Sequence, residues 1–192
     1  MDKKRIIVLG SLFVVLAILV VVFFSISGKE KIKPSPLPSS TELEQTSTTP
    51  EKSKKIALFF LSERDSFLHS EERRIAADLP LVHQAKRTIE ELIRGSQEGY
   101  VSPFPPETKL RELYLTREGV AYVDFSKDIL EKHISGSSAE IATVYSAVNS
   151  LTYNFKSIRK VFILIEGRER ETLRGHINLS QPFLPKYDLI TN

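Results

Sequence analysis

Three carboxylates, Glu107, Asp124 and Glu166, fall at or beside the ends of β-rich runs, where the loops of mixed α/β domains gather reactive groups. Brought together, they are the first candidates for a carboxylate site in a hydrolase. The competing reading is structural. Asp124 suits a bond to a turn amide, and Ser126 suits the cap of a short helix from Lys127 to His133. Thiol catalysis and the common zinc sites are excluded, because the chain has no cysteine. His69, His83, His133 and His176 are scattered without ligand spacing, so the sequence implies no metal and no cofactor.

A second set of candidates is built for contact. Residues 95–108 are rich in glycine and proline around Tyr100 and Phe104, and a loop of that length inside a domain is often functional. Tyr100 and Phe104 either form a partner-binding lip or tuck under a sheet while the prolines stiffen the approach to the next strand. His176, beside Gly175, is either a partner-facing residue or part of a structural turn. Glu71, Glu72, Glu90 and Glu91 read as solvated faces.

The elements that would position these residues are legible from periodicity. Leu110 to Leu115 and Val120 to Phe125 form a hairpin signal, with Gly119 free to take the positive φ of the connection. Ser137 and Glu140 have the spacing of a capping box ahead of a helix. In that helix Ile141, Val144, Tyr145, Val148, Leu151 and Phe155 line one side, and Ser146, Asn149, Ser150 and Asn154 lie away from it. Lys160 to Ile165 follows as a strand, giving a strand, crossover helix and strand with the helix on the dry face of the sheet.

Upstream, Ile56 to Leu61 is apolar on both faces and reads as an interior strand. Leu68 to Ala77 is either extended or a helical turn. Asp78 and Pro80 open a helix with the stripe Val82, Ala85, Ile89, Leu92 and Ile93, and Gly95 ends it. Downstream, Glu169 to Leu173 reads as an edge strand and Leu179 to Leu184 as a closing segment. The fold class expected is α+β: one sheet of about four to five strands with two main helices packed on one face.

Composition divides the chain. Residues 1–5 are a basic stub expected in the cytoplasm, and residues 6–26 are uncharged over about 30 Å of helix, the thickness of a bilayer core. Residues 27–54 are a Ser/Thr/Pro-rich linker with too few apolar side chains to fold. As a coil it would span roughly 30 Å, holding residues 55–192 clear of the lipid on the side of the membrane away from the stub. Residues 55–192 carry 19 basic and 19 acidic side chains, so the net charge of +3 belongs to the tether and no nucleic-acid footprint lies on the domain.

Several short strings taken together resemble the GerMN domain of bacterial sporulation and spore-germination proteins. They are Gly95 with the loop to Pro103, Pro106 to Leu110, the run Gly119 to Ser126 (GVAYVDFS), Ser137 to Glu140, Val161 to Gly167, and Gly175, His176, Leu179, Ser180 and Pro182. The resemblance covers roughly Lys55 to Leu184. It implies a compact exported domain without an established catalytic activity, acting through protein assembly in the envelope. Here it would occur as a single copy behind a membrane span.

Two functions follow. One is a non-catalytic interaction module binding an envelope protein, peptidoglycan or itself, with exposed strand edges available for pairing between copies. The other is an envelope or cell-wall-modifying hydrolase with a carboxylate site built on Glu107, Asp124 and Glu166.

Overall fold

The computed structural model describes residues 52–134 and 136–191. The stub, the apolar run 6–26 and nearly all of the linker lie outside the described residues. Among those described, no helix is long and apolar enough to cross a membrane.

Strands β1 (Ser53–Leu61) and β2 (Leu68–Ala76) form an antiparallel hairpin in register from Ser53 opposite Ala76 to Leu61 opposite Leu68. The ambiguous second segment is therefore a strand. Its burial does not follow hydrophobicity, because Glu71 and Arg73 point to the same inner face as Ile56 and Leu58. Helix α1 (Leu81–Arg94) packs Ala85, Ile89 and Leu92 onto that face. Its N-cap is Pro80, and no Asp78 side-chain cap forms; Gly95 closes the helix at φ 94°.

Strands β3 (Leu110–Leu115) and β4 (Val120–Phe125) make the expected antiparallel hairpin. Gly119 is required at its tip: φ is +79°, and a Cβ there would sit 2.6 Å from the Ser157 carbonyl oxygen. A short helix α2 (Asp128–Glu131) and the long α3 (Ser137–Asn154) lead to β5 (Lys160–Ile165), which pairs parallel to β4.

The strands form two three-stranded sheets, ordered β1-β2-β6 and β3-β4-β5, instead of one sheet with helices on a single face. The physical reason lies on α3. Asn154 Oδ1 accepts the Ala57 amide at 2.9 Å while its Nδ2 donates to the Ala57 carbonyl at 2.6 Å, and Ser150 Oγ accepts the Phe59 amide at 3.1 Å. Polar side chains of α3 thus take the edge of β1 that another strand would otherwise fill. Consequently α3 is central, with Ser146, Asn149 and Ser150 fully buried beside Val144, Ala147, Val148 and Leu151. The expectation that its polar residues lie away from the packed side is corrected: all three are buried, and Ser150 with Asn154 stands in for a missing strand.

The C-terminal segment is a strap. Phe183 exchanges two backbone bonds with Val161 of β5, and Pro182 and Pro185 on either side prevent a longer ladder. Asn149 then grips Lys186, accepting its amide and donating to its carbonyl, both at 2.9 Å. Beyond a 3-10 turn (Tyr187–Leu189), β6 (Ile190–Thr191) runs parallel to the start of β2. The strap therefore ties both sheets across α3. No edge strand forms at Glu169 to Leu173, where isolated bridges join Ile165 to Arg168 and Thr172 to Asn178.

Candidate functional site

The loop after α1 is held at several points. Ser96, Gln97 and Glu98 fold onto the Glu71 carboxylate, Tyr100 stacks on His69 with ring centroids 5.3 Å apart, and the Val101 amide donates to the Leu61 carbonyl at 2.9 Å. Phe104 is only 3% exposed and packs on Phe125 at 5.4 Å. Pinned in this way, the loop forms one wall of an apolar groove of about 480 Å³. The facing wall is α3 and its connection to α2, contributing Lys132, His133, Ile134, Ala139, Ala142 and Thr143. A smaller hollow of about 220 Å³ continues past Leu61 and Ala142 toward Ile141 and Leu68. Ile134 is 77% exposed at the groove, an unusual position for a large aliphatic side chain.

The walls are joined by one polar cluster. His133 Nδ1 lies 2.6 Å from the Ile134 carbonyl and Nε2 lies 2.7 Å from Thr143 Oγ1. That hydroxyl also sits 2.6 Å from the Pro103 carbonyl and 2.9 Å from that of Ala139. Its single proton has three claimants, and the cluster spans loop, connection and helix. Burial holds the His133 ring below the usual imidazole range, so neutral histidine is favoured there.

The family model Germane, described as sporulation and spore germination, matches residues 57–171, more than half of the chain. The chain belongs to the Germane family. No curated protein matches its sequence. Among solved structures, the tandem GerMN domains of the sporulation protein GerM from Bacillus subtilis align with TM-score 0.58 and 18% identity, over 80% of this chain and 51% of theirs. The first GerMN domain alone aligns with TM-score 0.54 and 20% identity, over 70% of this chain and 99% of that one. A putative lipoprotein from Clostridium perfringens gives TM-score 0.49 and 24% identity, over 69% of this chain and 87% of its own. The two GerM likenesses establish a shared fold, and this chain spans about half of the tandem structure.

In this Germane domain the expected site residues are dispersed. Tyr100 is half-buried beside the groove, Phe104 lines it from the core side, and His176 lies elsewhere, exposed. His176 Nδ1 sits 2.7 Å from Glu140 Oε1, which makes it part of a structural turn. Of the three carboxylates, Asp124 and Glu166 come together and Glu107 stays apart, exposed in the turn before β3. Asp124 accepts the Gly167 amide at 2.8 Å, Glu166 accepts the Lys127 amide at 2.8 Å, and Arg111 lies 3.6 Å from the first and 3.1 Å from the second. This arrangement braces the turn at Glu166 and Gly167, both at positive φ, with one guanidinium shared between the two carboxylates. Ser126 does not cap α2; it accepts the Lys109 amide and donates to Asp128.

Two buried carboxylates were not evident from composition. Glu140 is fully buried and does not cap α3. Its Oε2 accepts the amides of Arg174, His176 and Ile177 at 3.0–3.2 Å. Burial alone would raise its pKa, but the His176 bond and those amides outweigh it and hold the carboxyl below its usual range. Glu71 is 1% exposed, accepts from Ser96 and the Gln97 and Glu98 amides, and pairs with buried Arg73. The reading of Glu71 as a solvated face is corrected; Glu72 is exposed as expected. Among the described residues, no cluster of His, Asp and Glu side chains is placed to hold a metal ion.

Proposed function

We propose that this Germane domain is a non-catalytic interaction module, held outside a bacterial cytoplasmic membrane by residues 6–26 and the linker 27–54, and serving envelope assembly in sporulation or germination-type processes. Its ligand is an apolar stretch of an envelope protein seated in the groove between the Pro103–Pro106 loop and the start of α3. The observation that carries this reading is the contrast between the groove and the carboxylates. Asp124, Glu140, Glu166 and Glu71 are each committed to backbone amides and to an arginine or histidine side chain, whereas the groove presents Val101, prolines, Ala142 and exposed Ile134. Apolar lining with few polar groups favours a protein side chain over peptidoglycan, whose hydroxyls and amides would need partners.

The test places a photo-crosslinking residue at Ile134 in the full-length chain in intact cells, with Lys160 as a control. We expect one protein adduct specific to position 134, and its loss when Ala142→Glu closes the groove. Equal labelling at both positions, or an adduct indifferent to Ala142→Glu, overturns the groove assignment. The Asp124→Asn and Glu166→Gln chains should still yield the adduct and complement a deletion strain.

A further inference from the structure

We infer that the free edge of β2 is a self-pairing surface, on which a second copy of this chain adds its own β2 antiparallel. The backbone phase along β2 is fixed. The Ala77 amide donates to the Lys52 carbonyl, so Glu71, Arg73 and Ile75, which share its phase in that register, spend their backbone groups on β1. The same phase appears on β1, where the outward amides of Ala57 and Phe59 lie opposite Glu72 and Ser70. Ser70, Glu72, Arg74 and Ala76 therefore direct their N–H and C=O groups to the other side. There β6 pairs only with Leu68 and His69, and among the described residues no other strand lies along β2. The edge of β1 is closed by Asn154 and Ser150; from Ser70 onward the edge of β2 has no such cover.

Charge and phase together select the register. In a symmetric antiparallel pair, edge-facing residues must lie opposite edge-facing residues. Centring the pair on Glu72 sets two glutamates face to face, and centring it on Arg74 sets two arginines face to face. Centring it on Arg73 sets Glu72 opposite Arg74 of the second copy, and Arg74 opposite its Glu72. It also sets Ser70 opposite Ala76, so that all edge-facing residues from Ser70 to Ala76 are paired. Glu72, which holds Lys55 at 2.7 Å through one oxygen, and Arg74, which donates to Ser53, are exposed on the same face, so the second carboxylate oxygen and the remaining guanidinium donors can pair on the open side of the joined sheet. Charges on an edge ordinarily repel another strand. Here opposite signs two residues apart permit one self-pairing register and oppose its neighbours.

Disulfide trapping tests this in native membranes, because the full-length chain has no cysteine of its own. Opposed residues would have Cα atoms about 5.5 Å apart, within disulfide reach, whereas Glu72 and its counterpart would lie diagonally about 7–8 Å apart. Co-expressed, differently tagged Glu72→Cys and Arg74→Cys chains should give at least roughly tenfold more mixed disulfide than two Glu72→Cys chains. A Ser70→Cys and Ala76→Cys pair then reports charge dependence. Glu72→Arg in both chains should lower its yield roughly tenfold, and Glu72→Arg with Arg74→Glu should restore it. Equal yields for matched and mismatched cysteines, no disulfide at all, or a double exchange that stays low overturns the inference. The groove reading is unaffected by any of these results, since Ile134 and Ala142 are on a different surface.

Discussion

Replacing Glu140 should destabilise the domain strongly, although the residue reads in sequence as an ordinary first-turn glutamate. Its carboxylate is 0% exposed and accepts three backbone amides from the turn 174–177 as well as the His176 ring. Glu140→Ala leaves these donors without their acceptor. At about 1 kcal/mol for each charge-assisted bond lost, and with water able to reach the exposed turn, the cost is roughly 3–4 kcal/mol. For a domain of this size that lowers Tm by about 10 °C. Glu140→Gln keeps one oxygen for the amides but turns the acceptor facing His176 into a donor and removes the charge, so it should cost about 1–2 kcal/mol.

The pH dependence carries the sharper sign. The folded-state pKa of Glu140 is depressed below 4.5, so its stabilisation is fully present above that value and is lost as pH falls through the lower folded pKa. Urea unfolding followed by circular dichroism between about pH 3 and 7 should show a steeper acid decline in the native chain than in Glu140→Gln. Identical acid limbs in the two chains, or a Glu140→Ala cost under about 1 kcal/mol, would refute the argument that this carboxylate organises the turn.

Other perturbations report on separate contacts. Glu71→Ala leaves buried Arg73 only the Gly95 carbonyl and Glu91 at 3.8 Å and releases the Ser96–Glu98 loop, and should cost about 3 kcal/mol by chemical denaturation, whereas exposed Glu72→Ala should change stability by less than about 0.5 kcal/mol. Asn149→Ala removes both bonds to Lys186, so hydrogen exchange should accelerate in residues 183–191 while β4 and β5 keep their protection. The His133 ring should titrate below 6.5 by NMR; its contribution is present above the unfolded pKa and lost as pH falls through the folded one, and His133→Gln should abolish that slope.

Local patterning made the hairpin around Gly119, the helix ending at Gly95, the length of α3 and strand β5 legible from sequence. Each rests on a period or punctuation confined to neighbouring residues. The strings from Gly95 to Pro182 were enough to indicate the family, because family likeness is itself carried by short ordered motifs. The division into two sheets was not legible. It depends on Asn154 and Ser150 meeting Ala57 and Phe59 across more than ninety positions, and polar side chains on a helix carry no local mark of such a partner. Glu71 and Glu140 were obscured for the same reason. A carboxylate is placed outside by its own hydration, and only the convergence of distant amides at 96–98 and 174–177 makes burial favourable. The loop at Tyr100 and Phe104 could be singled out by composition, but the groove beside it needed His133 and Thr143 to meet Pro103 in space. Sequence determined the elements, whose hydrogen bonds are largely local; tertiary structure decided which polar groups were removed from water, because that requires partners far along the chain.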